Sequence, residues 1–183
     1  MESIEHNTEP APYHDIEALQ TAIENNEDTS RLTASEMANL WSSWMESSIK
    51  EQMVKYFLKI VEDPDIKDFL VYTLGIAQKH LRIISEIYAH ENHPIPVGFT
   101  DGDINIEAPR LFSDFFILSF LEEMARTRLD GYSTALQMST RADVRRYFTE
   151  CVADPAEVYN RAVSIMVSKG MYARPPAALS HQP

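Results

Sequence analysis

Between residues 37 and 61, Met37, Leu40, Trp44, Ser47, Glu51, Val54, Leu58 and Val61 recur at alternating steps of three and four. That spacing stacks side chains on one face of an α-helix. Just ahead, Thr33-Ala-Ser-Glu36 has the form of a capping box, with Thr33 as N-cap and Glu36 reaching back to it. A first helix is expected from Thr33 to near Glu62. Asp63-Pro64-Asp65 then restarts the pattern with an Asp cap, a proline at the first helical position and acid at the positive end of the dipole. Ile66, Leu70, Thr73, Ala77, Leu81, Ile84 and Tyr88 form its stripe, which predicts a second helix over about 64–91. So short a turn forces the two helices antiparallel.

The second helix runs into E-I-Y-A-H-E-N-H-P-I-P-V-G at 86–98. His90 and His93 are spaced by three, as two metal ligands on one helix face would be. Pro94 pushes His93 out of helical geometry, and imidazoles near a helix C-terminus suit the last carbonyls. The segment therefore reads as a helix end. The following residues, 93–108, lack periodicity. Extended at about 3.3 Å per residue they reach ~50 Å, more than the ~40 Å of a 27-residue helix at about 1.5 Å per residue. The connection is long enough to run the full height of a bundle. Ile95, Val97, Phe99, Ile104 and Ile106 suggest that it packs.

A third stripe, Leu111, Phe115, Leu118, Glu122, Ala125, Leu129, Tyr132 and Leu136, predicts a helix from near Pro109. After a turn at Ser139–Asp143, Val144, Phe148, Cys151, Pro155, Val158, Ala162 and Ile165 predict a fourth, closed by Lys169-Gly170. Pro155 removes a helical hydrogen bond and crowds the Cys151 carbonyl, and Asp154-Pro155 also reads as the cap and first position of a new helix, so a kink or break is expected at 151–155. Residues 1–31 differ in texture. They begin with an extended E-P-A-P-Y region and then carry a short amphipathic pattern at Asp15–Asn25 through Ile16, Leu19 and Ile23. The expected organisation is an acidic extension at 1–31, a bundle domain at 32–176 and a tail at 177–183. The fold class is all-α: a ferritin-like four-helix bundle with a long crossover loop between helices 2 and 3, a plain up-down-up-down bundle being the alternative.

Charge narrows the partners. The 183 residues carry a formal net charge of −12, which disfavours nucleic acid and anionic membrane surfaces. Eight of the 28 acidic residues lie in the first 30 positions, where there is no Lys or Arg. Cys151 is the only cysteine, so no intramolecular disulfide forms, which fits a reducing compartment. The first residues show no secretory signal pattern, and no apolar run is long enough for a transmembrane helix. A cytoplasmic or spore-associated location follows as the expectation.

Candidate chemistry is sparse. Ferritin-like di-iron proteins use Glu-x-x-His pairs, which place a carboxylate and an imidazole on one helix face for iron or manganese. No Glu-x-x-His occurs here. Glu51, His80 and Glu122 fall at similar mid-helix heights and are the candidate metal ligands, although two carboxylates and one imidazole are too few for a di-metal centre. Ser47 lies at the same level. Cys151 on its stripe reads as a buried small hydrophobe rather than a nucleophile. No catalytic residues and no cofactor are expected, with iron or manganese as the alternative.

Several segments together resemble one family: L-T-A-S-E-M-A-N-L-W-S-S-W-M (32–45), K-Y-F-L-K-I-V-E-D (55–63), N-H-P-I-P-V-G-F-T-D-G-D (92–103), E-A-P-R-L-F-S-D-F-F (107–116) and S-K-G-M-Y-A-R-P-P (168–176). The sequence resembles domain-of-unknown-function family 3231 of endospore-forming bacteria, over about residues 31–176. The resemblance implies a ferritin-like fold related to the Coat F group of spore coat proteins, with no established activity. Many members carry two tandem copies of the unit, whereas this chain carries one. The expected function is a non-catalytic structural or interaction protein, spore-associated and spore coat-like, that self-associates or joins other coat proteins. The competing expectation is a metal- or small-molecule-binding bundle, a degenerate oxidase.

Overall fold

Thr33 starts the first helix as its spacing from Glu36 requires. Its hydroxyl accepts from the Glu36 N–H at 3.2 Å, and the Glu36 carboxylate accepts from the Thr33 N–H at 2.8 Å. The computed structural model describes residues 30–172 and 174. The amphipathic pattern at 15–25, the tail at 177–183 and nearly all of the extension at 1–31 lie outside them. Helix α1 spans Ala34–Ile60 and α2 spans Pro64–His90. Asp63 caps α2 by accepting from the N–H groups of Asp65 and Ile66 at 3.0 and 3.3 Å.

The histidine-rich stretch is the helix end that its sequence suggested. Asn92 takes a left-handed φ of 55°, and the His93 N–H donates back to the Tyr88 carbonyl at 3.0 Å. This closes the helix with a Schellman motif, Asn standing where Gly is commonest. Helix α4, Ala142–Ser168, ends the same way. There Gly170 has φ 67° and the Met171 N–H donates to the Met166 carbonyl at 2.8 Å.

From Glu91 the chain descends along α1, passing through a 3₁₀ turn at Asp101–Asp103. Phe99 N–H donates to Ser48 Oγ at 3.1 Å, Lys55 pairs with Asp101 at 2.7 Å, and Arg110 pairs with Glu62 at 2.7 Å. The contacts thus move progressively from the middle of α1 past its C-terminus. Gly98 permits the closest approach: a Cβ there would lie 2.6 Å from Trp44 Nε1 and 2.9 Å from Ser48 Oγ.

Helix α3 spans Asp114–Gln137, with Ser113 as N-cap, not the start near Pro109 that the stripe suggested. Tyr56 on α1 explains the difference. Its hydroxyl donates to the Pro109 carbonyl at 2.6 Å and accepts from the Leu111 N–H at 3.2 Å. Backbone groups that would open a longer helix are held against α1 instead, and Leu111 stands exposed in the linker. The break expected at 151–155 is also absent, since α4 is continuous through the buried Pro155. Asp154 does not cap a new helix. Its carboxylate is drawn across to α2, where it meets His80 and Lys79.

The two ends of the molecule set the direction of each helix. At the upper end, Glu36 at the start of α1 accepts from the N–H groups of Thr140 and Arg141, at 2.7 and 2.8 Å, between α3 and α4. Arg141 in turn pairs with Glu91 at the end of α2. At the lower end, Asp114 accepts from the Asp63 N–H at 2.8 Å, and Lys169 pairs with Asp63 and Asp65 at 2.8 and 2.7 Å. Helices α1–α2 and α3–α4 are therefore antiparallel hairpins, with α2 parallel to α3. The described residues form an all-helical bundle of four long helices without a strand. Its apolar interior has a lower cluster including Phe57, Leu70, Ile117 and Val158, and an upper one including Leu40, Ile84, Val144 and Phe148.

Burial by itself would raise the Glu36 carboxyl. Donation from the Arg141, Thr33 and Thr140 N–H groups and the Thr33 hydroxyl outweighs it and holds the pKa at about 2, against 4.5 normally. A depression of that size corresponds to ~3 kcal/mol. The contribution is fully present above pH 4.5 and is lost as pH falls towards about 2. Urea unfolding of Glu36→Gln at pH 7 is expected to show a loss of roughly 2–3 kcal/mol, with a flatter stability profile below pH 4.5 than the parent protein. An unchanged profile would place the acid sensitivity elsewhere.

Candidate functional site

Between the two apolar clusters the bundle carries a polar layer. Helix α1 supplies Ser43, Ser47 and Lys50, α2 supplies His80, α3 supplies Tyr132 and α4 supplies Tyr147, Cys151 and Asp154. Ser43, Ser47, His80, Tyr132, Tyr147 and Cys151 are all buried. The helical repeat places Ser43, Ser47 and Lys50 one after another on the inward face of α1. It also places Tyr147, Cys151 and Asp154 on successive turns of α4. The hydroxyls of Ser43 and Tyr147 hydrogen-bond across the bundle between its diagonal helices.

His80 is the centre of this layer. Its Nε2 lies 2.9 Å from Asp154 Oδ2, and the rings of Tyr147 and Tyr132 meet it edge-on at 5.7 and 6.2 Å. Burial lowers its pKa; the Asp154 hydrogen bond opposes that shift, and nearby Lys50 and Lys79 reinforce it. The neutral ring thus donates its Nε2–H to the carboxylate. Asp154 also accepts a 2.7 Å ion pair from Lys79. Burial would raise the Asp154 pKa, but the hydrogen bonds from His80 and Lys79 bring it below the ordinary value. Burial likewise lowers the Lys50 amine.

Cys151, His80 and Asp154 have the composition of a nucleophile, base and orienting acid. Their geometry is different. Cys151 Sγ lies 3.9 Å from Nδ1 and 3.8 Å from Nε2, so it faces both ring nitrogens equally rather than the lone pair of one. Burial pushes the thiol up to about 12, although the Tyr147 hydroxyl opposes this. A thiol so far from ionisation is a weak nucleophile. The cavity beside His80, lined by Thr73, Leu121 and Pro155, measures about 10 Å³, the space of one water molecule. The cavity beside His80 itself therefore has no room for a substrate larger than water.

The expected candidate ligands separate. His80 is in the layer. Glu51 stands between α1 and α2, held by Lys55 at 3.3 Å and Gln78 at 3.2 Å. Glu122 is half-buried on α3, and neither carboxylate lines the cavity beside His80. Among the described residues no three His, Cys, Asp or Glu side chains form a group able to hold a metal ion. Ser47 and Cys151 occupy the buried positions that their stripes indicated. Lys50, Tyr147 and Asp154 escaped notice because charged or polar residues flanking an apolar stripe normally face water. The spacing of Asp154 from Cys151 was the available signal, and it pointed equally to a helix cap.

Two measurements follow. Cys151 is expected to react with a thiol reagent only as fast as the bundle opens, and labelling at the rate of a free thiol in native buffer would contradict the packing. As pH falls below 6.5 the unfolded chain binds a proton that folded His80 refuses. Stability should therefore decline through that range, and His80→Gln should remove this part of the decline. Lys50, Lys79, Asp154 and Cys151 face the ring, so the profile of the variant is best compared at constant ionic strength.

Among solved structures, a candidate spore coat protein from Bacillus halodurans C-125 is similar, with a TM-score of 0.73 at 17% identity, covering 82% of this chain and 98% of that one. At such identity the likeness speaks to the fold alone. No curated protein matches the sequence. The model of the family described as protein of unknown function, DUF3231, matches residues 20–183. That match extends over most of the chain and includes all four helices, and the chain therefore belongs to the DUF3231 family.

Proposed function

We propose that this chain is a spore-associated structural or interaction protein that works by self-association, on a ferritin-like arrangement of two hairpins joined by a long crossover. The observation that carries this is the run of exposed apolar side chains along the linker and the first turn of α3. Ile95, Val97, Phe99, Ile106, Leu111, Phe115 and Phe116 are all exposed, Val97 at 91%. Phe116 is also the middle ring of a stack, 4.7 Å from Phe112 and 6.3 Å from Phe120. Apolar surface concentrated on one route over a fold is the usual mark of a protein contact. Spore association is supported by the family and by the Bacillus halodurans neighbour. Among the described residues no helix is long and apolar enough to cross a membrane.

Sedimentation equilibrium of the full chain across a hundredfold concentration range is expected to show reversible association. Val97→Ser with Leu111→Ser, at 91% and 63% exposure, should weaken it at least tenfold, roughly the loss of two apolar side chains buried on association, without lowering the melting temperature. A protein that stays monomeric at the highest concentration would overturn this function.

A further inference from the structure

Between Ala34 and Ile49 the charged residues are Glu36, buried against the α3–α4 turn, and Glu46, paired with Arg128 of α3. The outward face of this part of α1 is therefore uncharged. Trp41, Met45 and Ile49 follow one another along it at steps of four, Trp41 at 53% exposure and Ile49 at 39%. Exposed Ala34, Ala38 and Ser42 lie between them. The outward faces of the other helices differ. Lys67 and Glu86 on α2, Glu123 and Asp130 on α3, and Arg145 and Glu157 on α4 all stand exposed. Farther down α1 the same face is covered. Gln52 and Tyr56 continue the stripe, both are buried, and Tyr56 is bonded to the linker at Pro109 and Leu111. The linker meets α1 at Gly98 and Phe99, beside Trp44 and Ser48, and above that level the face of Trp41 stays open.

We propose that a second copy of this chain docks on this face, the two α1 helices packing antiparallel about a two-fold axis. This docking presupposes the self-association proposed above and supplies its centre. Charge selects the occupant. A strongly acidic or basic partner would find no opposite charge here. The chain's own extension, with eight acids and no Lys or Arg in the first 30 positions, would find no cation. Two copies that each carry a net negative charge can instead meet where neither presents a carboxylate. Spacing selects the register. In an isologous pair, residue i faces j and j faces i. With the axis midway between positions 39 and 40, Trp41 packs over the partner's Ala38 and Met45 over the partner's Ala34, each large side chain on a small one. Val97 precedes Gly98 and is almost fully exposed, so the apolar surface continues from this face into the linker.

The test is sedimentation equilibrium of the full chain beside Ala38→Glu, with Val97→Ser/Leu111→Ser as the comparison. Ala38 is exposed, so the substitution leaves the packing of the bundle alone. Symmetry sets the new carboxylate into the contact twice. Association is expected to weaken about a hundredfold or more, with the melting temperature unchanged at a concentration where the parent is monomeric. Register is read by cross-linking. An oxidised mixture of Ala38→Cys and Trp41→Cys chains should give a disulfide-linked dimer that neither chain gives alone, and the native Cys151 is buried and does not compete. A parent that associates no more tightly than Ala38→Glu overturns this contact and leaves the linker contact standing. Association abolished by Ala38→Glu but untouched by Val97→Ser/Leu111→Ser does the reverse. A parent that is monomeric throughout overturns both. A cross-link in Trp41→Cys alone would mean parallel pairing, and a lowered melting temperature of monomeric Ala38→Glu would put a segment of the same chain on the face; either overturns the proposal.

Discussion

The bundle depends on one buried carboxylate. Glu36 accepts hydrogen bonds from Thr33 at the start of its own helix and from Thr140 and Arg141 in the turn between α3 and α4. An ionised carboxylate out of water is stable only when its lone pairs are filled, and here backbone donors from both hairpins fill them. The condition is met only when α1 and the α3–α4 turn are in register. A cap that would be worth about 1 kcal/mol within a lone helix thereby becomes the latch between two halves of the molecule. Arg141 extends the latch to Glu91, so all four helices converge on one end.

The lower end repeats this logic with the polarity of helix dipoles. Asp114, in the first turn of α3, accepts from the N–H groups that precede α2, while Lys169 after the last turn of α4 answers the acids at the start of α2. Opposite charges sit where opposite helix ends meet. With both ends determined, the linker has one route, down the outside of α1. Its exposed apolar residues are carried along that route, so the proposed contact surface follows the linker to the first turn of α3.

The interior between these latches is polar at mid-height, and that layer explains why α4 survives its proline. Pro155 leaves the Cys151 carbonyl without its usual partner. One residue earlier, Asp154 is fastened to His80 and Lys79 of α2. The contacts on α2 hold the chain helical where local preference would allow a new start. A buried hydrogen-bonded pair such as His80 with Asp154 can fix register even where it adds little stability. The contacts of His80 and Lys79 with Asp154 align α2 with α4.

The sequence by itself determined the four helices, the capping box at Thr33, the Asp63 cap and the Gly170 terminus, because each rests on neighbours three or four residues apart. It also determined that His90 and His93 close a helix, since Pro94 acts locally. Family membership was legible from the ordered motifs, and the long linker from its missing periodicity. Where α3 begins was not legible, because Tyr56, more than fifty positions away, holds residues 109–111. The path of α4 through Pro155, the separation of Glu51 and Glu122 from His80, and the gathering of Lys50, Tyr147 and Asp154 were likewise decided only by packing. These depend on the rotation of one helix against another, and periodicity within a helix carries no information about which neighbour its polar flank will meet.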